Sequence, residues 1–281
     1  MNIVPHKTVG WPLLTLGATL IVSIVCNAQR GDYLRTAEVE ESRGIVRVFA
    51  NDPRPLAQAL CAITKRHEWL VDYEDPPYAG NFDMVDATNP EWRASHPNAR
   101  PVMIPNGGVF EFKYDGDLAA KPDGEKQILD ALVSAYNNTQ NPGRFEVREV
   151  SVDSRPWSIS HKRYAIVGIS IKDDQGRSQP VVPILDTLIT LPTQEQSASE
   201  TIRLIGEEVF AKREVKVIEG GFANNALIQS KVTVGGTNVT ARSLLLQTLS
   251  AVTNPSMGWR AKYDPMSLLY VLNIGIIRAC D

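Results

Sequence analysis

"EWLVDYEDP" stands at residues 68–76 and "GWRAKYDP" at 258–265. Each runs Trp, three residues, Tyr, then carboxylate and Pro, with two carboxylates (Glu74, Asp75) in the first and one (Asp264) in the second. Each follows a stretch of helical spacing. In "PRPLAQALCAITKR" Leu56, Leu60 and Ile63 fall at i, i+4 and i+7, which places them on one helical face. In "TNVTARSLLLQTLSAVTN" Leu245, Leu249 and Val252 repeat that spacing. Pro53 or Pro55 suits the first helical turn, where no backbone N–H is needed. Asn238 or Thr240 suits the N-cap of the second helix. Within each strand Trp and Tyr are four residues apart and share a face. The Asp-Pro then stops the strand, because Pro cannot donate to a ladder. Both stretches predict a helix packed on a sheet, with Trp69 and Trp259 covering the seam.

The same helix-then-strand order occurs twice more. "EKQILDALVSAYNNTQNPGRFEVREV" places Ile128, Leu129, Leu132 and Tyr136 on a helix, breaks it at "NPG", and continues as an alternating strand. "SASETIRLIGEEVFAKREVKVIEGG" offers Ser197 or Ser199 as a cap, then Ile202, Ile205 and Val209 on one face, then a strand. "GIVRVFA" (44–50) and "SKVTVGG" (230–236) alternate as strands, and "SLLYVLNIGII" reads as a buried one. "RYAIVGISIKD" and "QPVVPILDTLITLP" read as a hairpin around "DQGRS", with Asp174 and Gly176 as turn residues. The expected class is α+β: repeated helix–strand modules of βαβ type, with helices packed on small mixed sheets. The expected division is a signal peptide at 1–28, a flexible leader at 29–43, a first module at 44–114 with a long loop at 76–107, a middle module with the hairpin at 115–192, and a C-terminal helix–strand pair module at 193–281.

The N-terminus predicts export. Lys7 precedes an uncharged apolar run, and Cys26 and Ala28 are small residues at −3 and −1 of a cut after Ala28, the order of a secretory signal peptide. The alternative is an uncleaved inner-membrane anchor, for which Val9 to Val25 is at the short end of a span. Cleavage leaves 28 basic against 32 acidic residues, a net charge of −4. That balance disfavours nucleic-acid binding, which needs a basic surface. The membrane is expected to be met only through the N-terminal segment, if it is uncleaved. Cys61 and Cys280 would remain. An oxidising compartment permits a bridge, but a buried thiol at Cys61 and a tail thiol at Cys280 are the expectation.

Chemistry is sparse. His67, His96 and His161 are scattered, with no H-E-x-x-H and no His/Cys cluster, so no metal or cofactor is expected. No G-x-S-x-G or S-x-x-K is present, and no catalytic residue is assigned. Asp115, Asp117 and Asp123 read as Asp-Gly turns rather than a calcium loop. The segment 76–107 is long, rich in Pro and Asn, and weakly periodic, a pattern of functional or disordered loops. Its Tyr78, Trp92, Arg93, His96 and Arg100 are the candidate binding residues, since aromatic and Arg side chains anchor interfaces.

"PLAQALCAITKRHEWLVDYEDP" (55–76) resembles the secretin and TonB N-terminal short domain, with its Pro-Leu, Ala-Leu helix and strand ending in a Tyr-Asp type turn. "NVTARSLLLQTLSAVTNPSMGWRAKYDPMSLLYVLNI" (238–274) resembles that family's second helix–strand segment. The whole chain also resembles exported proteins of environmental bacteria. The resemblance implies small α+β modules in the periplasm that bind other proteins through strand edges, with no catalytic residues. The expected function is therefore a non-enzymatic protein-binding or assembly module of the bacterial cell envelope. The alternatives are a secreted hydrolase and a small-molecule or glycan binder using Tyr78, Trp92 and His96.

Overall fold

A computed structural model describes residues 33–150, 162–222, 224–252 and 257–276. Fourteen strands alternate with helices in it: β1 (Glu38–Ser42), β2 (Ile45–Asn51), α1 (Pro55–His67), β3 (Leu70–Glu74), α2 (Gly80–Asp83), β4 (Met84–Asp86), α3 (Pro90–Ser95), β5 (Met103–Pro105), β6 (Val109–Asp115), α4 (Gly124–Asn137), β7 (Arg144–Val150), β8 (Arg163–Lys172), β9 (Ser178–Pro180), β10 (Leu188–Ser197), α5 (Ala198–Arg213), β11 (Lys216–Phe222), α6 (Asn224–Gln229), β12 (Lys231–Thr240), α7 (Ala241–Ala251), β13 (Met257–Asp264) and β14 (Leu269–Ile276). The class is α+β, with helices on mixed sheets.

All four helix-then-strand units are present: α1–β3, α4–β7, α5–β11 and α7–β13. Their apolar stripes are buried. Leu56, Leu60, Ile63, Ile128, Leu132, Ile202, Ile205, Leu245 and Leu249 are each at most 2 % exposed. Pro55 opens α1. Ser197 caps α5 by accepting from the Glu200 N–H, and Thr240 caps α7 by accepting from the Ser243 N–H.

The pairings reveal a longer repeat. In the first half β2 and β6 pair antiparallel, β3 and β8 pair parallel, and β7 and β8 pair antiparallel. In the second half β10–β12, β11–β14 and β13–β14 pair in the same three senses. The order β-α-β-β-α-β-β therefore occurs twice, with the hairpin β4–β5 inserted in the first copy. Registers correspond through the first four pairs of the parallel ladders and from Phe145 and Trp259 onward in the antiparallel ones. β11 bulges after Glu219, and β10–β12 shifts register where the first copy does not. Leu70 pairs with Arg163 and Val147 with Ile166. Lys216 pairs with Leu269 and Ala261 with Leu272. Both helices that lead into the second strand end at a left-handed Glu, Glu68 in one copy and Glu214 in the other. Each copy sandwiches its two helices between a small sheet and its share of a large one.

The large sheet is continuous, ordered β11-β14-β13-β3-β8-β7, with β9 added to β8. Its middle is the joint between copies, where β13 lies parallel to β3 with Arg260 opposite Tyr73 and Ala261 opposite Glu74. The two similar stretches that open the sequence are thus adjacent strands. Residues opposite each other share a face. Tyr73 belongs to the core of the first copy and Ala261 to that of the second. The two helix pairs therefore lie on opposite faces of one sheet.

Four expectations need correction. The 29–43 leader contains strand β1, tied to β2 through a two-residue turn at Arg43 and Gly44, both at positive φ, a hairpin geometry that matches strand twist. The second arm of the expected hairpin pairs with β8 only over β9. Residues 188–197 leave to pair with β12, and Asp173 rather than Asp174 holds the turn, accepting from the Gln175 and Arg177 N–H groups. The 115–192 module is not a separate unit, because Ile128, Leu132 and Tyr136 share one core with Val46, Leu60 and Phe110. Cys61 is disulfide-bonded rather than a free thiol. The other two cysteines, Cys26 and Cys280, lie outside the described residues, as does the expected signal peptide.

Gly206 shows how tightly α5 sits on the sheet. A Cβ there would stand 2.6 Å from the Val217 carbonyl oxygen. Gly→Ala in an exposed helix gains about 1 kcal/mol. Here overpacking reverses the sign, and Gly206→Ala is expected to cost about 1–3 kcal/mol in urea unfolding.

Candidate binding surface and the charged joint

β3 is the most unusual strand. Asp72 and Glu74, with Asp75 just beyond its end, are all 0 % exposed. Buried carboxylates persist only when paired and hydrogen-bonded, and each of these is. Asp72 accepts from Arg163 at 2.7 and 2.8 Å and from the Trp259 N–H at 2.9 Å. Glu74 accepts from Arg242 of α7 at 2.7 Å and from the Leu185 N–H at 3.2 Å. Asp75 accepts from the Tyr73 and Tyr78 hydroxyls, from Arg54 at 2.6 Å and from the Tyr263 N–H at 3.0 Å.

These groups complete the joint. The β3–β13 ladder has only two residue pairs, and the Asp75 N–H donates to the Ala261 carbonyl. Beyond it, Asp72 and Asp75 take N–H groups of β13 that a longer ladder would have paired. Arg54 also donates to the Tyr263 carbonyl. Arg242 lies 5.4 Å over the Trp259 ring, so Trp259 covers a helix–sheet seam as expected. Trp69 does so less completely, stacked on His67 at the end of α1. Burial pushes the Glu74 carboxyl up, against the opposing pull of Arg242, and pushes both the Tyr73 and Tyr78 hydroxyls up. Each carboxylate is engaged by protein donors, so the cluster holds the copies together.

The 76–107 segment is largely structured. Its base is fixed by Asp83, 0 % exposed, which accepts from the Lys172 N–H at 2.6 Å and the Gly143 N–H at 3.4 Å. Its outer part is the hairpin β4–β5 with α3 between the strands. The predicted residues divide. Tyr78 is 2 % exposed, packed in the second core, with its hydroxyl on Asp75. It belongs to the joint and cannot meet a ligand. Trp92, Arg93 and His96 share α3. Trp92 is half-buried and stacks on His96 with centroids 4.7 Å apart. Arg93 is exposed and bonded to Asp86 and Thr88. Arg100 is exposed after α3. A glycan site built on Tyr78, Trp92 and His96 therefore loses its first member.

Sequence reasoning passed over Asp72, Asp75, Arg163 and Arg242. The signal was a strand carrying two carboxylates, Asp72 and Glu74, with Arg163 at the start of another strand and Arg242 in the first turn of a helix.

Among the described residues no group of three His, Cys, Asp or Glu side chains could hold a metal, and no helix is long and apolar enough to cross a membrane. Fold and joint define an α+β protein made of two fused copies of one module. No protein-family model, no curated protein and no solved structure matches the chain.

Glu125, in the first turn of α4, has a buried Oε1 with no hydrogen-bond partner. Burial pushes its carboxyl up to about 7. A carboxyl raised on folding favours the folded state below its unfolded pKa and loses that advantage as pH rises through 7. Partial exposure discounts the effect. Glu125→Gln is expected to be neutral at pH 4 and to stabilise by about 1 kcal/mol at pH 8, measured by urea midpoints at both pH values.

Proposed function

We propose that this chain is an exported, non-enzymatic protein-binding or assembly module of the bacterial cell envelope. The observation that carries the reading is the continuous sheet, which among the described residues ends in the edge strands β7 and β11. Adding a partner strand to such an edge is a general mode of protein recognition. The hairpin β4–β5 with α3 supplies a second contact, through Trp92, Arg93, His96 and Arg100. The Cys61 disulfide supports export, because disulfides persist in oxidising compartments. The charge pattern of the N-terminus supports the same route, and the resemblance to the secretin and TonB N-terminal short domain points to the periplasm. Of the alternatives, a secreted hydrolase and a small-molecule or glycan binder, the binder is disfavoured by the withdrawal of Tyr78 into the joint.

In-cell crosslinking of the C-terminally tagged protein tests the proposal, with mass spectrometry of the adducts and of the mature N-terminus. The expected result is a reproducible envelope partner linked near residues 84–105 or to an edge strand. Trp92→Ala with Arg93→Ala is expected to cost no more than about 1 kcal/mol of unfolding free energy, since α3 lies on the outer hairpin away from both cores, and to deplete the adduct. Loss of stability with the adduct retained would assign α3 a packing role instead.

A further inference from the structure

The duplication says what the two sheet edges fit. In the chain, the β13 edge of the second copy joins the β3 edge of the first. By register, β7 is the first-copy counterpart of β13, and β11 is the second-copy counterpart of β3. Among the described residues, these are the two edges at which the sheet ends. We propose that β7 of one molecule pairs in parallel with β11 of a second molecule, repeating between molecules the joint that already exists within each. The proposal rests on the assembly reading above and names the partner as another copy of this chain. The interface is head-to-tail, so repetition builds a ring or an open row rather than a closed dimer.

Side chains at the two edges complement each other. Phe145 is the counterpart of Trp259. Its N–H and carbonyl are already bonded to the Asn137 side-chain amide, at 3.0 and 2.8 Å. The Trp259 N–H instead needs Asp72 from across the joint. On β11 the place of Asp72 is held by Ile218, which is 42 % exposed. One edge has thus supplied the acceptor, and the other has replaced the carboxylate with an apolar side chain. Because Phe145 turns both its backbone groups away from β8, so do Val147 and Glu149 in an alternating antiparallel pair. No strand among the described residues takes them up.

The transferred register places Glu146 opposite Glu219, the last residue of β11 before its bulge. Like charges directly opposed weaken a pair. Glu219 already has a buried Oε1 with no hydrogen-bond partner, and Glu146 shares Arg148 with Asp186. Association is therefore weak, and Glu146 is the position at which one charge change tightens it.

Sedimentation velocity of the full chain across concentration tests this. Wild type is expected to self-associate weakly. Glu146→Lys is expected to tighten association at least tenfold, and Glu219→Lys to do likewise. Combining the two restores like charges and is expected to return association to the wild-type level. Val147→Pro, on an edge where Pro is tolerated, is expected to abolish it. Failure of either single variant to tighten association, or monomers throughout, overturns the proposal. Crosslinking of the Val147→Pro variant in cells separates the two readings. Loss of self-adducts with an envelope partner retained supports both. An envelope partner without self-adducts in wild type sinks the self-pairing alone.

Discussion

Asp72→Ala is expected to lose about 3–5 kcal/mol of unfolding free energy, the cost of removing one partner from a buried ion pair. Domains of this kind are stable by only about 5–15 kcal/mol, so the variant approaches the threshold of folding. The change leaves the Arg163 guanidinium, 5 % exposed, without its carboxylate, and orphans the Trp259 N–H. The effect is also expected in the shape of the transition. The joint keeps its two ladder pairs and the Asp75, Arg54 and Glu74 contacts but loses its Asp72 end, so the coupling of the copies weakens and urea curves followed by different probes separate. Asp72→Asn keeps an acceptor for the Trp259 N–H and is expected to fall between. The double variant Asp72→Leu with Arg163→Met removes both charges and is expected to cost less than Asp72→Ala alone, since an apolar replacement of similar volume is often neutral. A loss below about 1 kcal/mol for Asp72→Ala would show that the joint is held by packing.

The second large effect belongs to Cys61. Reduction, or Cys61→Ala, is expected to cost about 2–5 kcal/mol and to lower the thermal midpoint. Peptide mass spectrometry without reductant then identifies the partner among Cys26 and Cys280. A bridge to Cys280 is compatible with cleavage after Ala28, whereas one to Cys26 requires the N-terminal segment to be retained. The same experiment gives the topology of the crosslink, and a Cys26 bridge would in addition rule out cleavage after Ala28. Equal stability with and without reductant would remove the bridge as a structural element.

The helices and most strands were legible because their signals are local. Leu56, Leu60 and Ile63 declare a helical face within eight residues, and Ser197 and Thr240 mark starts by capping chemistry that spans one turn. The α+β class follows from those units. The joint was not legible, because its partners are remote. Asp72 meets Arg163 and Trp259, and Glu74 meets Arg242, at separations no periodicity reports. A carboxylate before Pro reads as a turn, and only the fold reveals it as a buried acceptor. Strand β1 was missed because all its side chains are exposed, so it has no apolar face to alternate. Tyr78 was misjudged because it lies in a polar, Pro-rich stretch, whereas burial depends on the Asp75 cluster beside it. Trp92, Arg93 and His96 were legible by residue type, but the helix over Pro90–Ser95 that brings Trp92 and His96 together was not, because six residues in a Pro- and Asn-rich stretch give too short a period to read.

The joint also has a consequence for the order of events as the chain is made. β3 spans residues 70–74 and its neighbour β13 spans 257–264. Contacts this distant form late, because a long loop must close first. A chain delivered N-terminus first completes one core, with β3 already laid beside β8, while β13 is still missing. During that interval β3 is a naked edge, the kind of surface on which unfinished chains aggregate. Its Asp72 and Asp75 then stand as gatekeepers, repelling any strand that brings no matching donors. When β13 arrives with the Trp259 and Tyr263 N–H groups, the charges that guarded the edge become the ones that close it.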